Sequence, residues 1–123
     1  MPGVSSPLEH STVLDRVDVE PGTDEVVLVM VETRAWDSGP DQLRQLREKT
    51  SNYLGLVVDG ELARRHPETA GRHVRFQLEC HAGAPTGEAS RTVTALTDVV
   101  GRYGIRLEVV EARLSRTPAV GSD

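Results

Sequence analysis

The sequence has little of several residue types on which common kinds of site depend. One of its 123 residues is a cysteine, Cys80, so no disulfide can form within the chain. Aromatic residues make up 3% of the chain, too few for the stacking platforms of single-strand nucleic-acid binders. No apolar run reaches the roughly 18 residues of a membrane-spanning helix, and the first residues show no signal-peptide pattern. We therefore predict a cytoplasmic protein with no membrane partner.

The charge balance is acidic. Lys and Arg total 14 against 19 Asp and Glu, which gives a net charge of -5, and such a chain is repelled by phosphate backbones. We therefore expect no nucleic-acid partner. The histidines have no short ligand spacing, a single thiol cannot complete a closed zinc site, and no phosphate-binding glycine motif occurs. The sequence thus predicts no metal and no cofactor.

Composition divides the chain into a core and two tails. Residues 1–11 and 114–123 are rich in Pro, Gly and Ser, and we expect both to be disordered. The rest, 12–113, is long enough to bury one hydrophobic core. We predict a single domain there.

Hydrophobic patterns predict the elements of that domain. Strands are expected at 13–19, 25–33, 72–80 and 105–111, and helices at about 38–58, 61–66 and 89–103. The second strand is apolar on both faces and should be covered on both. Asp37 or Ser38 should cap the first helix. The last helix should carry an apolar stripe that includes Tyr103 and end before Gly104.

These elements predict an α/β fold of the α+β two-layer sandwich type. Its order is β-β-α-β-α-β, with a four-stranded mixed sheet and two helices on one face. The other face would then expose one apolar row of the second strand, either that of Val27 or that of Leu28. Such a row needs a cover. A two-fold homodimer is our first expectation for it, and the N-terminal tail is the competing one.

Ligands in open sheets tend to bind at the carboxyl ends of parallel strands. That edge should bring Trp36 and Asp37 close to His81, where an aromatic wall, a carboxylate and an imidazole can bind a small anion. Lys49, one helical turn before Tyr53, is a further candidate. Each also has an ordinary explanation: Asp37 as a cap, Trp36 as the end of the core, His81 as a loop residue and Lys49 as an exposed helix lysine. Cys80 should be a buried, inert thiol.

A set of short motifs, in their order and spacing, resembles a family of small uncharacterised bacterial proteins recurrent in actinobacteria. The motifs are Val17-Asp18, Glu25-Val26-Val27-Leu28, Trp36-Asp37, Lys49, Asn52-Tyr53, Asp59-Gly60, Pro67 and Gly104-Ile105. The resemblance spans about 13–110. It implies the order of elements and carries no activity, because the family's function is unknown.

Two hypotheses for the function follow. The first is a non-enzymatic interaction or accessory protein that acts as a homodimer or binds another protein. The alternative is a small-ligand binder, for an anion or metabolite, or a modest enzyme, with its site at Trp36, Asp37, His81 and Lys49. We assign no catalytic residue.

Overall fold

The computed structural model of the protein describes residues 14–111. Within this range lie four strands and three helices: β1 (Arg16–Val19), β2 (Val26–Glu32), α1 (Asp41–Val58), α2 (Glu61–Arg65), β3 (Val74–Cys80), α3 (Gly87–Gly101) and β4 (Arg106–Glu111). A 3-10 turn, Pro67–Thr69, follows α2. The predicted order of elements is confirmed. The predicted disordered tails, 1–11 and 114–123, lie outside the described residues.

The strands form one mixed sheet in the order β1-β2-β3-β4. β1 and β2 are antiparallel and are joined by a turn in which the backbone N–H of Glu20 donates to the Glu25 carbonyl oxygen (2.8 Å). β2, β3 and β4 are parallel, and Leu28, Phe76 and Leu107 stand side by side across them. The carboxyl ends of three strands therefore meet at one edge of the sheet.

One face of the sheet packs against the helices. Alternate residues of β3 point into this layer, as predicted, and Phe76 and Leu78 are both 0% exposed. The ring of Tyr53 from α1 meets that of Phe76 edge-on, with the centroids 5.8 Å apart. The buried cluster comprises Val26, Leu28, Met30, Leu46, Tyr53, Leu62, Phe76, Leu78, Cys80, Val93, Val100, Ile105 and Leu107. The α+β fold with helices over one face of a four-stranded mixed sheet is thus confirmed.

The opposite face of the sheet is lined by charged side chains that pair with one another. The ion pairs join Arg16 to Asp18 and Glu79, Arg75 to Glu20 and Glu25, and Arg106 to Glu25 and Glu108. On the same face, Val27 and Val29 of β2, which lies between β1 and β3, are 4% and 0% exposed. The sequence pattern predicted an exposed apolar row here, and the structure differs because the row is already buried within one chain. The surface of this face therefore consists mainly of paired charged side chains and not of apolar ones.

The first helix starts later than predicted. α1 begins at Asp41, with Pro40 in the capping position and no side-chain hydrogen bond to the cap. Gly39 has a φ of +107°, a left-handed conformation that a helix cannot continue through and that favours glycine. The predicted cap at Asp37 or Ser38 is therefore wrong. The Ser38 hydroxyl instead donates to the carbonyl oxygen of Ala35 (2.6 Å) within the loop.

The end of the last helix also differs. α3 ends at Gly101, and the chain turns before β4 begins. Tyr103 was expected in the apolar stripe of this helix but is 56% exposed. It lies beyond the last regular turn, so the helical spacing no longer directs its ring at the sheet. Gly104 follows with a φ of +76° and starts the return into β4.

Candidate functional site

The loop between β2 and α1 borders a cavity of about 430 Å³ at the carboxyl edge of the parallel strands. Its walls come from this loop, from the first turns of α1 and from the start of α3. The lining residues are Trp36, Asp37, Gly39, Pro40, Gln42, Leu43, Arg47, Thr86, Glu88 and Ala89. The volume is suited to a small molecule. Two of the four predicted site residues, Trp36 and Asp37, share this cavity.

Trp36 ties the two connections at this edge together. Its half-buried ring packs against the core cluster. Its indole Nε1–H donates to the carbonyl oxygen of Gly83, at 3.2 Å, in the connection between β3 and α3. The aromatic wall of the cavity is therefore fixed to both connections.

Gln42 holds the backbone of the same loop. Its side chain is 1% exposed. The amide Nε2 donates to the Ala35 carbonyl oxygen (2.9 Å) and to Oε1 of Glu32 (3.0 Å), and Oε1 of Gln42 accepts from the Ser38 N–H (3.2 Å). One buried side chain thus fastens both ends of the segment that carries Trp36 and Asp37.

Glu32, the last residue of β2, is the anchor of this arrangement. It is 0% exposed. Its Oε2 accepts from the N–H of Arg34 (2.8 Å) and from Nε of the same residue (3.0 Å), while its Oε1 accepts from Nη2 of Arg34 (2.9 Å). The guanidinium continues to Oε1 of Gln45 (2.8 Å). The buried carboxylate is therefore paired with a cation and hydrogen-bonded on both oxygens, as such burial requires.

The charged groups around the cavity, in contrast, have no partner within the described part of the chain. Asp37, Arg47 and Glu88 are exposed. Within residues 14–111, none of the three takes part in a side-chain hydrogen bond or an ion pair. The cavity thus presents two carboxylates and one guanidinium beside an aromatic wall.

His81, the third predicted site residue, has its contacts elsewhere than in this cavity. It is not among the described residues that line the cavity. Its Nε2 lies 3.2 Å from Oε1 of Glu79, on the charged face of the sheet, and Glu79 also accepts from Arg16 (2.8 Å). Burial acts to raise the pKa of Glu79, but hydrogen bonds from Arg16 and His81 outweigh it, and the pKa lies below its usual value. His81 therefore contacts the charged side chains on the face opposite the helices.

Lys49 is wholly buried rather than exposed. Its Nζ lies 2.6 Å from Oδ1 of Asp15 and 5.9 Å from the centroid of the Tyr53 ring. Oδ2 of Asp15 accepts from the N–H of Val31 (2.8 Å). The Tyr53 hydroxyl accepts from the N–H of Asp15 (3.0 Å) and donates to the Val29 carbonyl oxygen (2.8 Å). Lys49 thus fastens the chain before β1 to α1 and β2, which is a structural role. It is not among the residues that line the cavity.

Cys80 is buried on the core face, as predicted. Burial raises the pKa of its thiol to about 11, so the thiolate is scarce at neutral pH. Among residues 14–111, no three or more His, Cys, Asp or Glu side chains gather so as to hold a metal ion. Every helix in the same range is too short or too polar to span a lipid bilayer.

Sequence reasoning missed four residues of this site: Glu32, Gln42, Arg47 and Glu88. One signal was available. Glu32 ends a strand that is apolar on both faces, and an acid in such a position demands a buried partner. Arg47 and Glu88 look like ordinary exposed helix residues, and only the packing of α3 beside α1 brings them to one cavity.

Fold and cavity together define a small α+β protein with a polar, ligand-sized cavity at the carboxyl edge of its sheet. The chain belongs to a family of unknown function (DUF6572), whose model matches residues 6–113. This confirms the resemblance drawn from the motifs, while the bacterial and actinobacterial origin stays a prediction. No curated protein and no solved structure matches the chain.

Proposed function

We propose that this protein binds a small polar metabolite in the cavity beside Trp36, and that the metabolite carries both a positive and a negative group. The observation that carries this proposal is the buried network of Glu32 and Gln42, which fixes the loop bearing Trp36 and Asp37. A loop held in this way keeps its site formed before the ligand arrives, which lowers the entropic cost of binding.

The network stabilises the folded chain less than an apolar core of the same size would. Burying a carboxylate and an amide costs more than burying apolar side chains of the same size, even when every hydrogen bond is made. Three of its hydrogen bonds hold the backbone of the loop, at Arg34, Ala35 and Ser38. Positioning this loop is therefore the best account of why polar groups occupy the site.

The charges around the cavity favour a ligand with two charges of opposite sign. Arg47 offers paired donors to a carboxylate or phosphate, and Asp37 or Glu88 accepts from an ammonium group. The Trp36 ring and Leu43 supply apolar surface between them. We propose binding rather than catalysis, because His81, the expected acid–base partner, pairs with Glu79 on another face.

The test is calorimetric titration of the full chain with free amino acids, compared with carboxylic acids and amines of similar size. We expect the compounds that carry both charges to bind best. Arg47→Gln should weaken that binding about tenfold or more, because a hydrogen bond between charged groups is lost. Arg44→Gln is the matched control: it lies one turn earlier on α1, is 51% exposed and pairs with Asp41 and Glu48.

Two results would contradict the proposal. One is the absence of binding by any compound of the series at concentrations of about 10 mM. The other is equal weakening by the Arg47 and Arg44 substitutions. We further propose a cytoplasmic location, supported by a single cysteine that is buried and free.

A further inference from the structure

The exposed apolar side chains of this protein are unevenly distributed. Among residues 14–111, the large exposed ones are Val58, Val99, Tyr103 and Val109. Three of these four lie in the unit formed by α3, the turn after it and β4. This unit stands at one side of the sheet, because β4 is its last strand.

β4 has a free edge in the described range. It pairs with β3 along one side, and no other strand of residues 14–111 lies along the other. It has six residues, whereas β1, the opposite edge strand, has four. A long edge strand invites pairing with another chain unless short length, charge or a cover prevents it.

The sequence of this edge is complementary to itself. Residues 105–109 read Ile, Arg, Leu, Glu, Val. When two copies run antiparallel with Leu107 at the two-fold axis, each Arg106 stands opposite the partner's Glu108, and each Val109 stands opposite the partner's Ile105. Shifting the axis to Glu108 would set two carboxylates against each other, which destabilises the pair. One register is therefore favoured over its neighbour.

We propose that β4 pairs with β4 of a second copy of this chain, in the register centred on Leu107. The two sheets then form one continuous sheet, and both sets of helices lie on the same side of it. Within one chain Arg106 pairs with Glu25 and with Glu108, both at 2.8 Å. The side chains of Arg106 and Glu108 are 58% and 40% exposed, so both can exchange the bond between them for the equivalent bonds to the partner. Val109, which is 38% exposed in one chain, becomes covered. This association is separate from the ligand cavity and does not depend on it.

The test is analytical ultracentrifugation of the full chain over a concentration series up to about 200 µM. We expect a dimer. Arg106→Glu or Glu108→Arg alone places like charges opposite each other and should raise the dissociation constant about tenfold or more. Combining both substitutions restores the opposite charges and should restore the dimer. A mixture of the two single variants should form a heterodimer for the same reason.

Asp18→Arg is the matched control. Asp18 lies on β1, the other edge, where it pairs with Arg16 at 2.9 Å, and its replacement should leave the dimer intact. Circular dichroism and the urea midpoint of each variant establish that it folds. A monomeric full chain at the highest concentration would overturn the proposal and leave a strand of another protein as the cover. A dimer unaffected by either single charge reversal would overturn it as well.

Discussion

Replacing Gln42 by leucine tests whether the loop that bears Trp36 is held by the buried network. Leucine has a similar size and high helix propensity, so the change removes hydrogen bonds with little effect on α1 itself. Three bonds are lost, to Glu32, Ala35 and Ser38. A neutral hydrogen bond contributes about 0.5–1.5 kcal/mol net, and one to a charged group about 1.5–3 kcal/mol.

Burial of the leucine side chain offsets part of that loss, by about 1.5–3 kcal/mol at most. We therefore expect the free energy of unfolding to fall by about 1–3 kcal/mol, measured by urea denaturation. Hydrogen exchange at the amides of residues 35–39 should rise further than exchange in β3, since the loop loses its anchors while the core remains.

Gln45→Leu is the matched control, because it makes the same change on the same helix. Gln45 accepts one hydrogen bond from the charged Arg34 at 2.8 Å and is half-buried. Loss of that bond costs about 1.5–3 kcal/mol, and burial of the leucine side chain offsets about 1–2 kcal/mol of it. The replacement should therefore cost less than about 1 kcal/mol net. Equal destabilisation by both variants, with no faster exchange in residues 35–39, would refute the idea that Gln42 holds the loop.

Two further predictions concern the other charged groups. Lys49→Met should lower the free energy of unfolding by about 3–5 kcal/mol in urea denaturation, because it leaves the carboxylate of Asp15 buried without its cation. The control, Arg44→Met on the exposed side of the same helix, should lower it by less than about 0.5 kcal/mol. Equal effects of the two substitutions would contradict the stabilising role of the buried pair. The pKa of Glu79 is held below its usual value of 4.5 because the hydrogen bonds from Arg16 and His81 outweigh burial. This stabilisation is present above the unfolded pKa and is lost as pH falls through the folded one. Glu79→Gln should therefore flatten the fall of stability at pH values below the usual value of 4.5, and an unchanged acid limb would contradict this.

The fold was predictable because its strands carry clear patterns. The second strand is apolar on both faces, and the structure places it inside the sheet, covered on both. The third alternates, and its apolar side, with Phe76 and Leu78, is buried. These patterns depend on residues close together in the chain. The strands can therefore be recognised from short stretches of sequence, without knowledge of the tertiary structure.

The burial of charged side chains was not predictable in the same way, although the spacing of residues in α1 indicated that Lys49 faces the core. Lys49 lies between Leu46 and Tyr53, at a helical spacing that puts all three on the buried face. A lysine in such a position is normally assigned to solvent, because its burial requires a counter-charge. That counter-charge, Asp15, is 34 residues away in the sequence. The burial of Lys49 therefore follows from tertiary structure and not from the local pattern.

The structure separates the motif residues into those with structural tasks and those without. Lys49 and Tyr53 fasten the chain before β1 to the sheet, and the Trp36 ring joins two connections. Asp37 has no such task among the residues that the structure describes. It is exposed, it does not cap α1, and within residues 14–111 it takes part in no side-chain hydrogen bond or ion pair. Its carboxylate lies beside the cavity, on a loop that the buried network fixes. The ligand that we propose for this cavity would give it a partner of opposite charge.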